Sequence, residues 1–420
     1  MKVNENRYLY SPMKRLAFDY SKMVFISGPR QCGKTTFAKQ VLKERGAGQY
    51  YNWDDREFRR KWVARPKDLV PKGNDGTTPV VVFDEIHKAK GWKSDLKGLY
   101  DTLEQSCQFM VTGSARLDVY KKGGDSLLGR YLGFRLHPFS LGELTQLESR
   151  EDPEEIIRQL FESSAETAPE VMPELIEEEL EDRFSRLWKF GGFPEPLFRG
   201  SEEFANAWRR TRVEQIIRED LRDLSRIPEL SQIEMLVALL PERVGGLMSV
   251  QSLREDLEVA HDTVSRWLNY LKELYYLFEL RPYSKSLVRS LKKESKIYFY
   301  DWSEIDSPGS RFENLVACHL LKACHFWTDI GKGKFDLNYL RNKEKREVDF
   351  LIVKNQKPWM TVECKLSDTQ MDPSIFAFSN PLNLKWHIQI VRTPGIFRRF
   401  QKEGVEILIA SASHVLRLFP

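Results

Sequence analysis

Short apolar runs alternate with helical patterns along the first third of the chain. Five such runs predict buried strands, at residues 23–28, 49–53, 79–84, 108–113 and 131–136. The run VVVFD is apolar until its last residue, which is typical of a strand in a parallel sheet that is covered on both faces. The alternation therefore predicts an α/β domain over residues 1–145.

The pattern changes after this domain. Residues 146–228 begin with an acidic stretch that contains scattered prolines, which favours a solvated insertion over an acidic binding site, and continue into helical patterns that predict a lid. Residues 229–290 predict two helices joined by a short turn, because Trp267 and Leu271 belong to an apolar set at helical spacing. Strand patterns over residues 291–420 predict a second α/β domain.

Composition adds broad limits. The chain has 420 residues, of which 41% are apolar and 30% are charged, as in a globular protein of several domains. A net charge of +4 does not by itself indicate a nucleic-acid-binding protein. Five cysteines without a CxxC pair favour a reducing compartment, so we expect a cytoplasmic protein. We expect no secretory signal and no membrane span.

The segment after the first predicted strand carries the most specific motif. Residues 28–35 read GPRQCGKT and fit GxxxxGK[ST] without a mismatch, between an apolar strand and a helical pattern. Gly28 and Gly33 allow a tight turn whose N–H groups face phosphates, Lys34 is expected to reach the β- and γ-phosphates of ATP, and Thr35 is expected to ligate Mg²⁺. The expected nucleotide contacts are Gly28, Pro29, Arg30, Gln31, Cys32, Gly33, Lys34, Thr35 and Thr36.

Two carboxylates end the third predicted strand, in the pattern of a Walker B motif. Asp84 is expected to hold Mg²⁺ through water, and Glu85 is expected to orient and deprotonate the attacking water, which predicts hydrolysis of ATP. Thr112 and Ser114 end the next strand, where a polar group can sense the γ-phosphate. Arg130 is the candidate arginine for the γ-phosphate, in cis or from a second copy of the chain.

A second group of charged residues lies in the C-terminal region. Asp349 lies in the strand pattern EVDFLIV, and Glu363 and Lys365 lie on one side of the strand pattern TVECK. Asp349 and Glu363 are candidate ligands of a second divalent metal, and Lys365 is a candidate to stabilise developing charge. The order resembles the PD-(D/E)xK nuclease superfamily, in which an upstream helical acid such as Glu313 often assists. The alternative is a nuclease-like fold without activity, or charged strand ends.

Several motifs together resemble the bacterial and archaeal AAA-type ATPases that carry a C-terminal domain of unknown function (DUF4143). These motifs are GPRQCGKTT, VVFDEIHK, TGSARL, SLLGRYLGFRLHPFSLGEL, GGFPEPL, RFENLVACHL, EVDFLIV and VECK. The resemblance implies an ATPase of the additional-strand class, with a lid closed by residues 191–194. The expected fold class is therefore α/β: a P-loop NTPase parallel sheet with a helical lid, then a winged-helix module, then an α/β PD-(D/E)xK nuclease-like domain.

Three functions remain open at this point. The first is an ATPase coupled to DNA through the winged helix and the nuclease-like domain, with homo-oligomers formed by the ATPase domain. The second is a nucleotide-dependent switch whose C-terminal domain binds protein. The third, a metabolite kinase, is disfavoured because Glu85 favours water as the acceptor. A basic run after the helical module is the candidate phosphate-binding surface: Arg281, Lys285, Arg289, Lys292, Lys293 and Lys296.

Overall fold

The computed structural model describes residues 7–71, 78–103, 106–113, 127–145, 151–161, 177–221, 230–284, 294–367 and 370–420. The chain divides into two compact units. The N-terminal unit comprises residues 2–138 and 273–275, and the C-terminal unit comprises residues 139–272 and 276–420. The division into four domains stays a prediction.

The N-terminal unit contains a five-stranded parallel sheet with the order β2-β3-β4-β1-β5. All five predicted strands are present to within one residue at each end. The strands are β1 (Met23–Ser27), β2 (Gly48–Asn52), β3 (Val80–Asp84), β4 (Gln108–Gly113) and β5 (Tyr131–Arg135). The helices are α1 (Tyr10–Leu16), α2 (Lys34–Arg45), α3 (Arg56–Ala64) and α4 (Trp92–Thr102), with 3₁₀ turns at Phe18–Tyr20, Pro66–Leu69 and Ile86–Lys88.

Strands β3 and β4 form the centre of this sheet and are buried along their whole length. Aromatic side chains cover one face, where Phe83 stacks on Phe109 and on Phe58 of α3. Strand β4 lies between β1 and β3, so the strand before residues 28–35 is not adjacent to the strand that ends in Asp84.

The C-terminal unit begins with helices. Two of them, α11 and α12 below, match the predicted pair, and their apolar side chains Leu253, Leu257, Val264 and Trp267 are buried against the rest of the unit. The helices are α5 (Leu141–Leu144), α6 (Pro153–Phe161), α7 (Glu177–Phe190), α8 (Pro194–Arg199), α9 (Glu202–Gln215), α10 (Leu230–Leu239), α11 (Val250–Leu257) and α12 (His261–Glu273), with a π turn at Ile216–Asp220 and 3₁₀ turns at Pro241–Arg243 and Trp302–Glu304.

An eight-stranded mixed sheet follows, with the order β12-β13-β11-β10-β9-β8-β6-β7. The predicted boundary near residue 290 lies between β6 and β7, which pair with each other in this sheet. The strands are β6 (Leu277–Pro282), β7 (Lys296–Phe299), β8 (Phe335–Arg341), β9 (Glu347–Lys354), β10 (Lys357–Lys365), β11 (Trp386–Val391), β12 (Phe397–Lys402) and β13 (Val405–Ser411). The helices are α13 (Pro308–Asp329), α14 (Phe376–Leu382) and α15 (Ala412–Leu416), with a 3₁₀ turn at Pro373–Ile375.

Helix α13 packs across this sheet, and β8, β9 and β10 form an antiparallel meander beneath it. Strand β11 then joins β10 in parallel. This topology places the start of β9 and the end of β10 side by side, because neighbouring antiparallel strands run in opposite directions. In the part of the chain that the structure describes, no helix has the length and apolarity to span a membrane.

The end of the chain packs tightly on α5. A Cβ atom at Gly142 would lie 2.0 Å from the carbonyl oxygen of Phe419 and 3.1 Å from that of Arg417. Both obstacles are backbone atoms, so only a shift of the chain can relieve such a contact. Glycine at this position therefore lets α5 and the C-terminal residues approach each other.

Replacing Gly142 with alanine is therefore expected to lower the free energy of unfolding by about 1–3 kcal/mol, because the added methyl group overpacks the contact. Chemical denaturation of purified protein measures this change. The matched control is Gly309→Ala in α13, where an added Cβ has no atom within 4 Å. An equal effect of the two substitutions would contradict the role of Gly142.

Candidate active site

The loop between β1 and α2 forms a cradle for an anion. Gly33 has φ of 99°, in the left-handed region that glycine adopts without strain. A Cβ atom at Gly28 would lie 2.1 Å from the carbonyl oxygen of Leu136, so a larger residue does not fit there. The ammonium of Lys34 lies inside the loop, where it donates to the carbonyl oxygens of Gly28 at 3.0 Å and Pro29 at 2.6 Å. The predicted loop is present, and in this structure its lysine is bound by carbonyl oxygens of the loop itself.

Arg7 connects this loop to the segment that follows β5. Its buried guanidinium donates to the carbonyl oxygen of Cys32 at 3.0 Å and to that of His137 at 2.5 Å. The loop is therefore tied to the segment that follows β5. Sequence reasoning missed Arg7, because no motif connects it with a loop that begins 21 residues later.

Three hydroxyl groups converge on the buried carboxylate of Asp84. Thr35 at the start of α2 donates to Oδ2 at 2.7 Å, Tyr50 on β2 donates to Oδ2 at 2.5 Å, and Thr112 on β4 donates to Oδ1. A buried carboxylate is costly unless it is paired, and these hydrogen bonds satisfy it. Thr35 and Asp84, the expected Mg²⁺ ligands, are in direct contact, and their hydroxyl and carboxylate oxygens are the donors that Mg²⁺ prefers.

Tyr50 is a residue of this site that the sequence did not reveal. Burial and the hydrogen bond to Asp84 raise the pKa of the Tyr50 phenol to about 12, so the hydroxyl remains a donor at neutral pH. The ammonium of Lys39 lies 5.0 Å from the centre of its ring. The pattern of β2 predicts a strand, but only the pairing of β2 with β3 brings this phenol to Asp84.

Glu85 adopts a backbone conformation that is uncommon for its residue type. Its φ is 59°, in the left-handed region, and its N–H donates to the carbonyl oxygen of Thr112 at 3.0 Å. Such a conformation costs about 1–2 kcal/mol for a residue with a Cβ atom, and it concentrates at functional positions. The Glu85 carboxylate lies 3.6 Å from Nε2 of His87 and 3.9 Å from the ammonium of Lys88.

The structure does not bring Arg130, the first of the two remaining candidates, to this site. Arg130 precedes the start of β5, beside Met23 at the start of β1, whereas residues 28–35 follow the end of β1. Arg130 forms an ion pair with Asp101 through two hydrogen bonds, of 2.8 Å and 2.9 Å, and both side chains are partly exposed. The guanidinium lowers the pKa of Asp101 through these hydrogen bonds. Ser114 lies outside the described residues.

The C-terminal candidates meet at the edge where β9 begins and β10 ends. The N–H of Asp349 donates to Oε2 of Glu363 at 3.2 Å, and the N–H of Cys364 donates to Oδ2 of Asp349 at 2.9 Å. The ammonium of Lys365 lies 2.9 Å from Oε1 of Glu363 and 2.9 Å from Oδ2 of Asp372. The predicted acids and lysine are therefore neighbours.

Glu313 joins this group through a second lysine. Its Oε1 accepts a hydrogen bond from the hydroxyl of Tyr298 at 2.6 Å and lies 3.3 Å from the ammonium of Lys296. Lys296 is only 3% exposed and also contacts Oε1 of Glu347 at 2.6 Å. The expectation that Lys296 belongs to an exposed, phosphate-binding run is wrong, because Lys296 is buried and these partly buried carboxylates neutralise it. Four members of that run lie outside the described residues: Lys285, Arg289, Lys292 and Lys293.

Burial and mutual repulsion set the charges of this cluster. Burial, together with the nearby carboxylates of Glu313 and Glu363, raises the pKa of Asp349 well above its usual value. Burial alone would lower the pKa of Lys296, but Glu313, Asp349 and Glu347 outweigh that effect and raise it. The carboxylates are hard oxygen donors that suit a divalent cation. Across the described residues, however, no three or more His, Cys, Asp or Glu side chains are gathered so that they can hold a metal ion.

Gln389, on β11, lies beside these residues. It is opposite Glu363 in the β10–β11 pairing, and its Oε1 accepts a hydrogen bond from the N–H of Asp372 at 2.9 Å. Gln389 thus fixes the backbone of Asp372, which is a partner of Lys365. Asp372 belongs to no motif in the sequence. Only the fold brings it to Lys365 and Gln389.

Family models match three consecutive parts of the chain. Residues 20–145 match the model of an AAA domain, and residues 308–408 match a domain of unknown function, DUF4143. The chain carries an AAA domain followed by a DUF4143 domain. Between them, residues 181–303 match another domain of unknown function, DUF8612. The resemblance to AAA-type ATPases with a C-terminal DUF4143 domain is therefore confirmed for these two domains, and residues 28–35 and Asp84 lie within the part that matches the AAA domain.

Two uncharacterized proteins illustrate the relatives of this chain. One, from Mycobacterium tuberculosis, is 25% identical over 288 residues, which is 68% of this chain and 56% of that protein. The other, from Methanocaldococcus jannaschii, is 25% identical over 379 residues, which is 84% of this chain and 77% of that protein. The matched part of the chain thus spans little more than half of the mycobacterial relative.

Solved structures give weaker matches. The ORC1 protein of Aeropyrum pernix, in complex with DNA, aligns with a TM-score of 0.30 and 16% identity over 73% of this chain and 91% of that chain. A Walker-type ATPase of Pyrococcus abyssi aligns with a TM-score of 0.34 and 14% identity over 72% of this chain and 93% of that chain. The assignment of the AAA and DUF4143 domains therefore rests on the family models.

Replacing Tyr50 with phenylalanine is expected to raise the Mg²⁺ concentration needed for tight ATP binding by about tenfold, because a hydrogen bond to a charged group contributes about 1.5 kcal/mol. Titration of Mg²⁺ against binding of a fluorescent ATP analogue measures this shift. The substitution keeps the ring but removes the donor that orients Asp84.

The matched control is Tyr51→Phe. The hydroxyl of Tyr51 donates to the carbonyl oxygen of Leu69 at 3.0 Å, so its loss removes a hydrogen bond elsewhere in the unit. We expect the Mg²⁺ dependence of this variant to match that of the wild type. An unchanged Mg²⁺ dependence of Tyr50→Phe would exclude the orienting role.

Proposed function

We propose that the AAA domain hydrolyses ATP with Mg²⁺ and that its nucleotide state controls the C-terminal region. The convergence of Thr35, Tyr50 and Thr112 on Asp84 carries this proposal, because it joins the phosphate-binding helix to the strands on both sides of β3. Lys34 and the loop around it supply the phosphate cradle. Glu85 directly follows Asp84 and supplies a second carboxylate for water.

Each residue has one task in the proposed reaction. Lys34 moves from the loop carbonyls to the phosphates and neutralises charge on the transferred group. Thr35 and Asp84 are the residues that would hold Mg²⁺, which supplies further charge neutralisation when bound. Glu85 orients a water molecule in line with the γ-phosphate and accepts its proton, and the resulting P–O bond replaces the bond to ADP.

Arg130 remains the candidate arginine for the γ-phosphate. Its ion pair with Asp101 is partly exposed, and such pairs contribute about 0–1 kcal/mol, so the guanidinium can exchange Asp101 for a phosphate at little cost. We propose that it acts across an interface between two copies of the AAA domain. Full hydrolysis by a strictly monomeric preparation would exclude this role.

Replacing Glu85 with glutamine is expected to slow ATP hydrolysis about 10²–10⁴-fold, because the amide cannot accept the proton of water. Nucleotide binding should be retained, since Lys34, Thr35 and Asp84 are intact. A phosphate-release assay and binding of a fluorescent ATP analogue measure the two properties separately.

Two further variants serve as controls for Glu85→Gln. Lys34→Ala should lose both binding and hydrolysis, and Glu57→Gln, at an exposed ion pair with Lys61 on α3, should change neither. Hydrolysis at the wild-type rate by Glu85→Gln would show that another group activates water.

A second proposed activity concerns the C-terminal cluster. Asp349, Glu363 and Lys365 lie together at the edge of β9 and β10, and Glu313 reaches the same group from α13 through Lys296. This arrangement favours a divalent-metal site that cleaves phosphodiesters, as in PD-(D/E)xK nucleases. Asp349 and Glu363 would hold the cation, which supplies charge neutralisation, and Lys365 would stabilise charge on the phosphate.

DNA is the proposed substrate, and a protein partner is the alternative. Helices α11 and α12 with the paired strands β6 and β7 support a winged-helix module. The exposed side chains near the start of α12 are of mixed charge, since Arg266 is accompanied by Asp262 and Glu255. Stimulation of ATP hydrolysis by double-stranded DNA would favour the DNA-coupled function, whereas an unchanged rate would favour the switch with a protein partner.

We expect slow cutting of plasmid DNA in Mn²⁺ that both Asp349→Ala and Lys365→Ala abolish, because each removes a group that contacts the cation or the phosphate. Gel electrophoresis of the plasmid measures nicking and linearisation. Asp336→Ala is the control, because Asp336 is a half-exposed carboxylate on β8. Equal cutting by all four proteins would indicate a contaminating nuclease and exclude the site.

A further inference from the structure

A buried lysine contacts Glu313, the assisting acid of the proposed C-terminal metal site. The ammonium of Lys296 is 3.3 Å from Oε1 of Glu313, and the charge of Asp349 is among those that raise the pKa of Lys296. Lys296 is 3% exposed, although an ammonium loses strong hydration when it is buried. The surrounding carboxylates compensate for that loss.

Lys296 is held at this position from a second side. Its ammonium contacts Oε1 of Glu347 at 2.6 Å, and the other oxygen of Glu347 accepts a hydrogen bond of 2.5 Å from Arg341. The ring of Tyr339 lies 5.6 Å from the same ammonium. None of these three residues is a proposed metal ligand, so the contacts that hold Lys296 are separate from those that would hold a cation.

The backbone of Lys296 has little freedom to withdraw. It lies in β7, where it pairs with Leu280 of β6 and forms a bridge to Leu247. Movement of the ammonium therefore requires rotation of the side chain away from both Glu313 and Glu347. Such a rotation would leave two carboxylates without their shared partner unless another cation replaced it.

Glu313 is the assisting acid of the proposed site, so a divalent cation there and the Lys296 ammonium would compete for its Oε1. Bonds from carboxylate oxygen to Mg²⁺ are about 2.0–2.1 Å long, so a cation on Oε1 of Glu313 would lie within about 5.5 Å of the Lys296 ammonium. Charges of the same sign repel strongly at that distance in a buried environment.

We infer that Lys296 is the resident cation of the Glu313–Asp349–Glu363 cluster and suppresses divalent-metal binding there until it is displaced. The inference rests on the metal site proposed above and adds its regulation. The C-terminal unit then holds its nuclease-like site in a self-neutralised state. A partner or substrate that draws Lys296 or Glu347 away would open the site to a cation.

Isothermal titration of the full chain with Mn²⁺, without nucleotide or Mg²⁺, tests this inference, and the same titration of Asp84→Asn identifies the binding that belongs to the AAA domain. Wild-type protein should bind Mn²⁺ only in the millimolar range at the C-terminal unit. Lys296→Gln should bind it at least about tenfold more tightly, because it removes a competing charge. Adding Glu313→Gln to Lys296→Gln should cancel the gain.

Two other variants complete the test. Glu347→Gln removes an anchor of Lys296 but no proposed ligand, so we expect a smaller gain in Mn²⁺ affinity. Lys322→Gln is the matched control, because Lys322 is another buried lysine, paired with Glu143 and Ser140 far along α13 from Glu313, and should give no gain. Circular dichroism confirms that each variant is folded.

The outcomes separate the two proposals. Equally tight binding of Mn²⁺ by wild type and Lys296→Gln would overturn the role of Lys296 and leave the metal site intact. Binding by neither protein would overturn the metal site and, with it, the competition. If Lys296→Gln does not fold, the titrations of wild type and Glu347→Gln test the inference instead. Micromolar Mn²⁺ binding by the wild type would by itself overturn the inference.

Discussion

Burial of a carboxylate at the end of a strand is the constraint on which both sites depend. A carboxylate removed from water has to be paired, and the residues that pair it become part of the site. In the N-terminal unit, the carboxylate of Asp84 is paired with the hydroxyl groups of Thr35, Tyr50 and Thr112. Those donors come from α2, β2 and β4, so the carboxylate also fixes the relative positions of these elements.

In the C-terminal cluster, the carboxylates are paired with ammonium groups instead. Lys296 and Lys365 neutralise Glu313 and Glu363, and burial leaves the pKa of Asp349 raised. The difference matters chemically. Neutral hydroxyls on Asp84 can coexist with a nearby divalent cation, whereas an ammonium on Glu313 competes with one. On the proposals made above, the two units would differ in how readily their carboxylates accept a metal.

Much of the N-terminal fold follows from local patterns. Continuous apolar runs predicted the five strands of the sheet, and the GxxxxGK[ST] motif between a strand and a helix predicted the loop with Lys34 and Thr35. Partners that are distant in sequence could not be predicted this way. Arg7 contacts Cys32, and Tyr50 contacts Asp84, only because the strands assemble in one order. A strand pattern carries no information about its neighbour.

The sequence by itself determined the phosphate-binding loop, the carboxylates Asp84 and Glu85, and the order of acids and lysine in the C-terminal region, because each lies in a short motif whose chemistry depends on local spacing. Only the tertiary structure decided which charges are compensated. Lys296 illustrates this point: in the sequence it ends a basic run, and in the fold it lies buried among carboxylates. Charge compensation depends on distance in space and on burial, and neither is a property of a linear segment.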